Sequence, residues 1–337
     1  MKQETVIKAA VVGLPIGLVL LGVLSMVYYF RTGAHDSEWR ASEFMHREIE
    51  EKDLREHVRV LSEVIGERHS GKPQALERAA KYLESSLGVS NMGYRVLRRN
   101  YSAGGETWAN LEVEIPGRGR RDEIVVVGAH YDSVRGGAGA NDNGTGIAAL
   151  LAIANSLVGS HPARTLRFVA FANEEAPHFQ SDSMGSLHYA REARLRDERI
   201  VAMLCFDTLG YYTDEPDSQK YPEAIAGKYP STGNFVAFVS DIDSGLLLAE
   251  VVSAFEGATD FPCIHGAFPA EVPGVSWSDH WSFWQAGYPA VLATDTAPFR
   301  YPWYHAPGDL PDKIDFARFT EVVRGLEGVV RELASPR

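Results

Sequence analysis

Three apolar runs of the 337-residue sequence end on side chains able to do chemistry. Val127-Gly128-Ala129 runs into His130-Tyr131-Asp132, Phe168-Val169-Ala170-Phe171-Ala172 into Asn173-Glu174-Glu175, and Leu204-Cys205-Phe206 into Asp207. A fourth run, Ala290 to Ala293, is followed after a loop by Tyr304-His305, and the stretch Gly139-Ala140-Asn141-Asp142-Asn143-Gly144-Thr145-Gly146 follows the first. A single carboxylate at a strand end is an ordinary loop residue, because loops run over the surface and favour polar side chains. Histidines and carboxylates brought by several strand ends to one edge are a different matter. Imidazole with carboxylate is the donor mix that zinc accepts in hydrolytic sites. Two ions sharing one bridging carboxylate each need one His and one further carboxylate, and this set supplies that number. Two Zn2+ against three ligand carboxylates leave a residual positive charge, which a bridging hydroxide neutralises.

Placing such a set on one edge requires an open α/β sheet, where ligands bind at the carboxyl ends of the strands. The sequence predicts a mixed, mainly parallel central sheet flanked by helices. Strands are expected from Leu111 to Ile115, Ile124 to Ala129, Leu166 to Ala172, Val201 to Phe206, Phe235 to Val239 and Ala290 to Ala293. Helices are expected from Gly146 to Val158, Ser186 to Arg194, Ser244 to Phe255 and Asp315 to Leu333. The unbroken apolar runs Ile124-Val125-Val126-Val127 and Leu204-Cys205-Phe206 suit central strands buried on both faces. From Ser37 to Leu87, the spacing of Leu54, Val58, Leu61 and Ile65 predicts helix, with His69-Ser70-Gly71-Lys72-Pro73 dividing the segment into two. Tyr211 to Asn234 is dense in Pro, Tyr, Asp and Gly without periodicity and reads as a surface loop or a lid.

As an ordered set, several motifs resemble the M28 family of zinc peptidases over about residues 50 to 330. They are Ala129-His130-Tyr131-Asp132-Ser133, the stretch from Gly139 to Gly146, Asn173-Glu174-Glu175, Phe206-Asp207, Ser278-Asp279-His280 and Tyr304-His305. The resemblance implies a zinc aminopeptidase-like domain over residues 49–337, two Zn2+ ions as cofactors, and peptides with a free N-terminus as substrates. It puts His130 and Asp207 on one zinc, Glu175 and His305 on the other, and Asp142 between them. It makes Glu174 the general base towards the attacking water and Asp132 the hydrogen-bonding partner that fixes the tautomer of His130. Asp279 is expected to do similar supporting work, and a cis peptide is expected at Asp142-Asn143.

The sequence departs from the commonest family pattern in two places. Pro177 to Met184 is a polar, aromatic segment inserted between Glu175 and Gly185-Ser186, and Asn143 stands where many relatives have Asp. Neither removes a ligand, and both bear on the shape of the pocket. Glutaminyl cyclases share much of the motif set, and some relatives of the fold are receptors or assembly subunits without metal ligands. Tyr304 before His305, where cyclases tend to carry Trp, favours a peptidase. A complete set of ligands and base favours catalysis over a binding module.

The remainder of the chain narrows the reading further. A formal charge of -12 without a cluster of Lys and Arg argues against a nucleic-acid partner. No Gly-x-Ser-x-Gly elbow and no His-Glu-x-x-His helix occurs, which disfavours a serine hydrolase or a zincin. Gly137-Ala138-Gly139 lacks the third glycine of a dinucleotide fingerprint. Cys205 and Cys263 are too few for a disulfide framework or a four-thiolate zinc site; two buried free thiols are expected, with a single bridge as the alternative in an oxidising compartment. His178 and His265 are expected as loop or pocket-wall residues, and most of Trp277, Trp281, Trp284 and Trp303 as core or pocket lining. Ala9 to Phe30 carries no charge and would extend ~33 Å as a helix, enough to span a bilayer. A cleaved signal peptide is the competing reading, but its apolar core is shorter and ends in small residues, whereas the end here, Met26-Val27-Tyr28-Tyr29-Phe30-Arg31, suits an interfacial aromatic belt. The expectation is a cytoplasmic tail over residues 1–8, a single transmembrane anchor over 9–30, a juxtamembrane segment over 31–48, and the catalytic domain outside the cytoplasm.

Overall fold

Alternating apolar strands and helices build one eight-stranded mixed sheet. Its strands are β1 (Leu97–Ala103), β2 (Glu106–Ile115), β3 (Arg120–His130), β4 (Arg164–Phe171), β5 (Arg199–Phe206), β6 (Val236–Ser240), β7 (Cys263–Ala267) and β8 (Ala290–Thr294). They lie in the order β1-β2-β4-β3-β5-β8-β6-β7. The four central strands, β4, β3, β5 and β8, run parallel, so their carboxyl ends share one edge. β2 joins β4 antiparallel, and β6 joins β8 antiparallel. The computed structural model describes residues 47–336. The predicted anchor and its flanks up to residue 46 lie outside the described residues, among which no helix is long and apolar enough to cross a membrane.

The helices are α1 (Glu51–Arg59), continued by a π-helical turn over Val60–Ile65, α2 (Pro73–Leu87), α3 (Gly144–Ser156), α4 (Gly185–Leu195), α5 (Gly245–Ala258), α6 (His280–Gln285), α7 (Ala297–Arg300) and α8 (Phe316–Ala334). Val125 and Val127 face a core shared with α1, α2, α3, α5 and α8, whereas Ile124 and Val126 face a second core shared with α4 and α6. This two-sided burial explains why β3 and β5 read as unbroken apolar runs. Helix α3 lies between other layers and is buried around nearly its whole circumference. Its Gly146 is required by proximity: a Cβ there would overlap the Phe206 carbonyl oxygen and Asn143 Oδ1. The start of α3 therefore presses against the end of β5, which brings Asp142 beside Asp207.

All six predicted strands form, and β1 and β7 are additional edge strands. The two N-terminal helices form on either side of the predicted break. The segment from Tyr211 to Asn234 contains no strand and one short 3-10 turn, Glu223–Ile225. It folds around buried Arg300, whose Nε donates to Gln219 Oε1 (2.7 Å) and whose Nη1 donates to the carbonyls of Phe235 (2.8 Å) and Tyr211 (3.3 Å). Cys205 is buried, Cys263 is half-buried, and both are free thiols.

Candidate metal centre

His130 is the last residue of β3, and Asp207 follows the last residue of β5, so both reach the carboxyl edge of the sheet. The glycine loop delivers Asp142 to the same place. Gly139 adopts a left-handed φ of +66°, and the Asp142-Asn143 peptide is cis, as the family resemblance implies. Asn143 then locks the loop from within. Its Oδ1 accepts from Gly146 N (2.9 Å), capping α3, while its Nδ2 donates to the Phe206 carbonyl (2.8 Å). A carboxylate at 143 would lack that donor. Asn173 and Thr208, which flank the Glu-Glu pair and follow Asp207, take φ of 58° and 51°, and His305 takes 54°. The backbone turns sharply at each point where a site residue leaves its element.

The structure brings all five predicted ligands together. His130 Nε2 lies 3.4 Å from Asp142 Oδ1 and 3.5 Å from Asp207 Oδ1. His305 Nε2 lies 3.1 Å from Asp142 Oδ2 and 3.4 Å from Glu175 Oε2. Donors held at ~2.0 to 2.1 Å around a tetrahedral zinc sit about 3.3 Å from one another, so these spacings fit such an ion. The two triads share Asp142, one oxygen facing each histidine, as a bridging carboxylate requires. A third possible triad, His130 with Glu174 and Glu175, is less apt because Glu174 Oε2 is 3.9 Å from His130 Nε2. Both ring nitrogens of His130 and Oε1 of Glu175 are buried without a hydrogen-bond partner. Such groups are costly to leave unpaired, and a bound cation would satisfy His130 Nε2, whereas Nδ1 faces Asp132.

Supporting groups surround the cluster. Asp132 Oδ1 lies 3.5 Å from His130 Nδ1, long for a hydrogen bond, and its two oxygens accept from the backbone N–H groups of Glu174 (3.1 Å) and Glu175 (3.0 Å). One carboxylate thus fastens the backbone of the Glu-Glu pair while facing the imidazole. Arg68, fully buried, donates to the carbonyls of Tyr131 (2.7 Å), Ala138 (2.6 Å) and Gly139 (2.8 Å), tying the chain after His130 to the loop before Asp142. Asp309 accepts from Asn141 N (2.8 Å) and Asp142 N (3.1 Å), and Asp295 Oδ2 accepts from Asn141 Nδ2 (2.9 Å) and Tyr211 N (2.8 Å). Arg68, Asp295 and Asp309 carry no mark in the sequence, because a charge inside apolar surroundings is visible only in three dimensions.

Burial, reinforced by Glu175 and Asp207, pushes the Glu174 carboxyl well above the usual range. Burial and the nearby Asp142 do the same to Glu175. Asp142 goes the other way: burial would raise its carboxyl, but the facing His130 and His305 imidazoles outweigh that effect and hold it below the usual range. Asp279, fully buried with both oxygens unpartnered, is pushed up to about 7 by burial. It makes no hydrogen bond to His130, Asp207 or Asp132.

Two cavities meet at the cluster. One, of about 640 Å³, contains Asp142, Glu174, Glu175, Asp207 and His305, with Ala176, Phe179, Trp277 and Tyr304 as its other walls. The second, of about 780 Å³, is mostly apolar and ends on the buried strand residues Ala237, Phe238 and Leu292. Asp207, Trp277 and Tyr304 line both. The Tyr304 ring stacks on His305 with centroids 3.9 Å apart. His265 lines the apolar cavity and His178 is a loop residue packed against Trp108, in keeping with the loop or pocket-wall places expected of them. Trp284 is a packing residue whose Nε1 donates to the Ala290 carbonyl (3.0 Å).

A paired histidine–carboxylate centre at the carboxyl edge of such a sheet defines a metal-dependent hydrolase. The chain belongs to peptidase family M28, whose sequence pattern matches residues 110–329, and with it to the metallo-exopeptidases. The Escherichia coli (strain K12) protein YfbL, described as uncharacterized, is 32% identical over 290 residues, spanning 83% of this chain and 87% of that protein. A probable leucine aminopeptidase of Arthroderma otae is 30% identical over 240 residues, 64% of this chain and 56% of that protein, so the chain spans little more than half its length. Among solved structures, BSAP, a zinc aminopeptidase from Bacillus subtilis, shares the fold with a TM-score of 0.65 at 18% identity, covering 86% of this chain and 97% of that one.

Proposed function

We propose that this chain is a zinc-dependent aminopeptidase that removes large apolar residues from the free N-terminus of peptides, using a two-zinc centre. The observation that carries this reading is the pair of triads sharing Asp142 beside a deep apolar cavity. His130 and Asp207 would hold one ion, Glu175 and His305 the other, and Asp142 would be shared between them. Bound zinc supplies a water of lowered pKa and polarises the scissile carbonyl. Glu174, next to the cluster and outside both triads, accepts the proton of the attacking water at its carboxylate. Asp132 keeps His130 and both glutamates aligned. Burial and the facing carboxylates hold the Tyr304 phenol protonated, so it serves as a hydrogen-bond donor within the cleft.

The apolar cavity sets the substrate class. Apart from tyrosines, its titratable lining is Asp207 at the metal cluster and His265, so nothing in its depth pairs with a charged side chain. Burying a Leu or Phe side chain there contributes about 1.5 to 3 kcal/mol. The test is a panel of zinc-loaded assays on peptides beginning with Leu, Phe, Lys, Glu and Gly, each free and N-acetylated, with metal content measured in parallel. Stepwise release of apolar first residues from free peptides is expected, with acetylated peptides resistant. Rapid internal cleavage of a blocked peptide would end the exopeptidase reading, and ammonia with pyroglutamate from Gln-initiated peptides would replace it with a cyclase.

The uncharged run from Ala9 to Phe30 supports a single-pass anchor with the catalytic domain on the extracytoplasmic side. The full-length protein should stay with membranes through an alkaline carbonate wash and be cut by protease added outside intact cells. Release by the wash removes the anchor, and protection from the protease reverses the orientation.

A further inference from the structure

The segment from Pro177 to Met184 supplies no candidate metal ligand, yet it is built to hold one side chain in the catalytic cleft. His178 N donates to the Glu175 carbonyl (2.9 Å), Ser181 N (3.0 Å) and Oγ (2.7 Å) donate to the His178 carbonyl, and Met184 N donates to the Ser181 carbonyl (3.0 Å). Successive turns thus fold the segment back directly after the Glu-Glu pair. The His178 ring packs on Trp108, and Gln180 Nε2 donates to the Ser276 carbonyl (2.9 Å), fastening the segment to the residue before Trp277. Between those two attachments sits Phe179, a half-buried aromatic lining the cleft that contains the candidate ligands.

The placement of the cavities gives this ring a task. An extended peptide turns successive side chains to opposite sides. If the first side chain enters the apolar cavity, which ends on Ala237, Phe238 and Leu292, the second points away from it. Trp277 and Tyr304, with Asp207, line both cavities, and Phe179 lines only the cleft. We propose that Phe179, with Trp277, forms a subsite for the second residue of the peptide, and that this subsite selects an aromatic or large aliphatic side chain. The proposal rests on the aminopeptidase reading and extends it from the residue released to the residue left behind.

The test compares leucine release by the zinc-loaded full chain from Leu-Phe-amide, Leu-Gly-amide and Leu-amide, the last having no second residue. The wild type should prefer Leu-Phe-amide to Leu-Gly-amide. Phe179→Ala should lower that preference about 5- to 10-fold, chiefly through KM, and Phe179→Tyr should retain it, as expected for loss of one aromatic contact. A wild type without the preference overturns the subsite, as does a Phe179→Ala variant whose rates fall equally on all three substrates. No leucine from any of them, Leu-amide included, overturns the aminopeptidase reading and the subsite with it.

Discussion

Glu174 and Glu175 are neighbours in sequence with different surroundings. Glu175 Oε2 lies 3.4 Å from His305 Nε2, and its other oxygen is buried without a partner, whereas the nearest imidazole nitrogen to Glu174 is 3.9 Å away. Glu174→Gln preserves size and polarity and removes the proton acceptor. Turnover should fall ~100-fold or more with both metals retained, since general-base catalysis contributes ~100- to 10,000-fold. Glu175→Gln substitutes a weak neutral donor for an anionic one, so the ion shared with His305 should bind less tightly and activity should recover in part with added zinc. Metal analysis with initial rates on both variants decides the matter, and the opposite pattern exchanges the two roles. The convergence of these residues was legible in the sequence because each follows a strand whose direction the apolar run reveals. Asp132 was legible only in part: its partnership with His130 followed from the motif, but its grip on two backbone N–H groups depends on how β4 ends. Arg68 was not legible at all, since its five carbonyl partners come from Leu61, Gly66, Tyr131, Ala138 and Gly139, spread along two segments.

Elements were most legible where both faces are buried. β3 and β5 are continuous apolar runs because helices cover the sheet on either side. β1 is an edge strand, Leu97-Arg98-Arg99-Asn100-Tyr101-Ser102-Ala103, whose exposure alternates along the chain, but Arg99 stands on its inner face and only Tyr101 is fully buried, so the alternation does not show as apolar and polar residues in the sequence. β7, at the opposite edge, has no fully buried residue and includes a histidine and a glycine. Helix α6 spans six residues, less than two turns, too short for a helical period to appear. The loop from Tyr211 to Asn234 carries part of the apolar cavity through Gln219, Tyr221, Ile225 and Tyr229, and its folding centre, Arg300, lies far outside the loop in sequence. Asp295 links that loop to the metal cluster by accepting from both Tyr211 N and Asn141 Nδ2. Pocket wall and bridging loop are therefore braced by the same side chain, a connection that no linear pattern displays.

At the scale of the whole molecule, burial of His280 between sheet and helices couples stability to pH. Its Nε2 lies 2.7 Å from the Val275 carbonyl, and burial pushes its pKa down to about 4. The folded chain favours the neutral ring, so this stabilisation is complete above the ordinary value of 6.5 and is lost as the pH falls towards about 4. The loss amounts to about 2 to 3 kcal/mol. His280→Gln should flatten the decline in urea midpoint between pH 7 and 4, metal loss in acid affecting both proteins alike. Parallel curves for the two would show that His280 does not titrate in this window. The order of the sheet has a further effect through Trp277, which forms a wall of both cavities. On the proposed reading, mutational change at that indole would act on two recognition steps at once, so a lineage that shifted its taste for the released residue there would also shift its taste for the new N-terminus it exposes. Because that new N-terminus is the next substrate, the two preferences together decide where trimming of a peptide stalls.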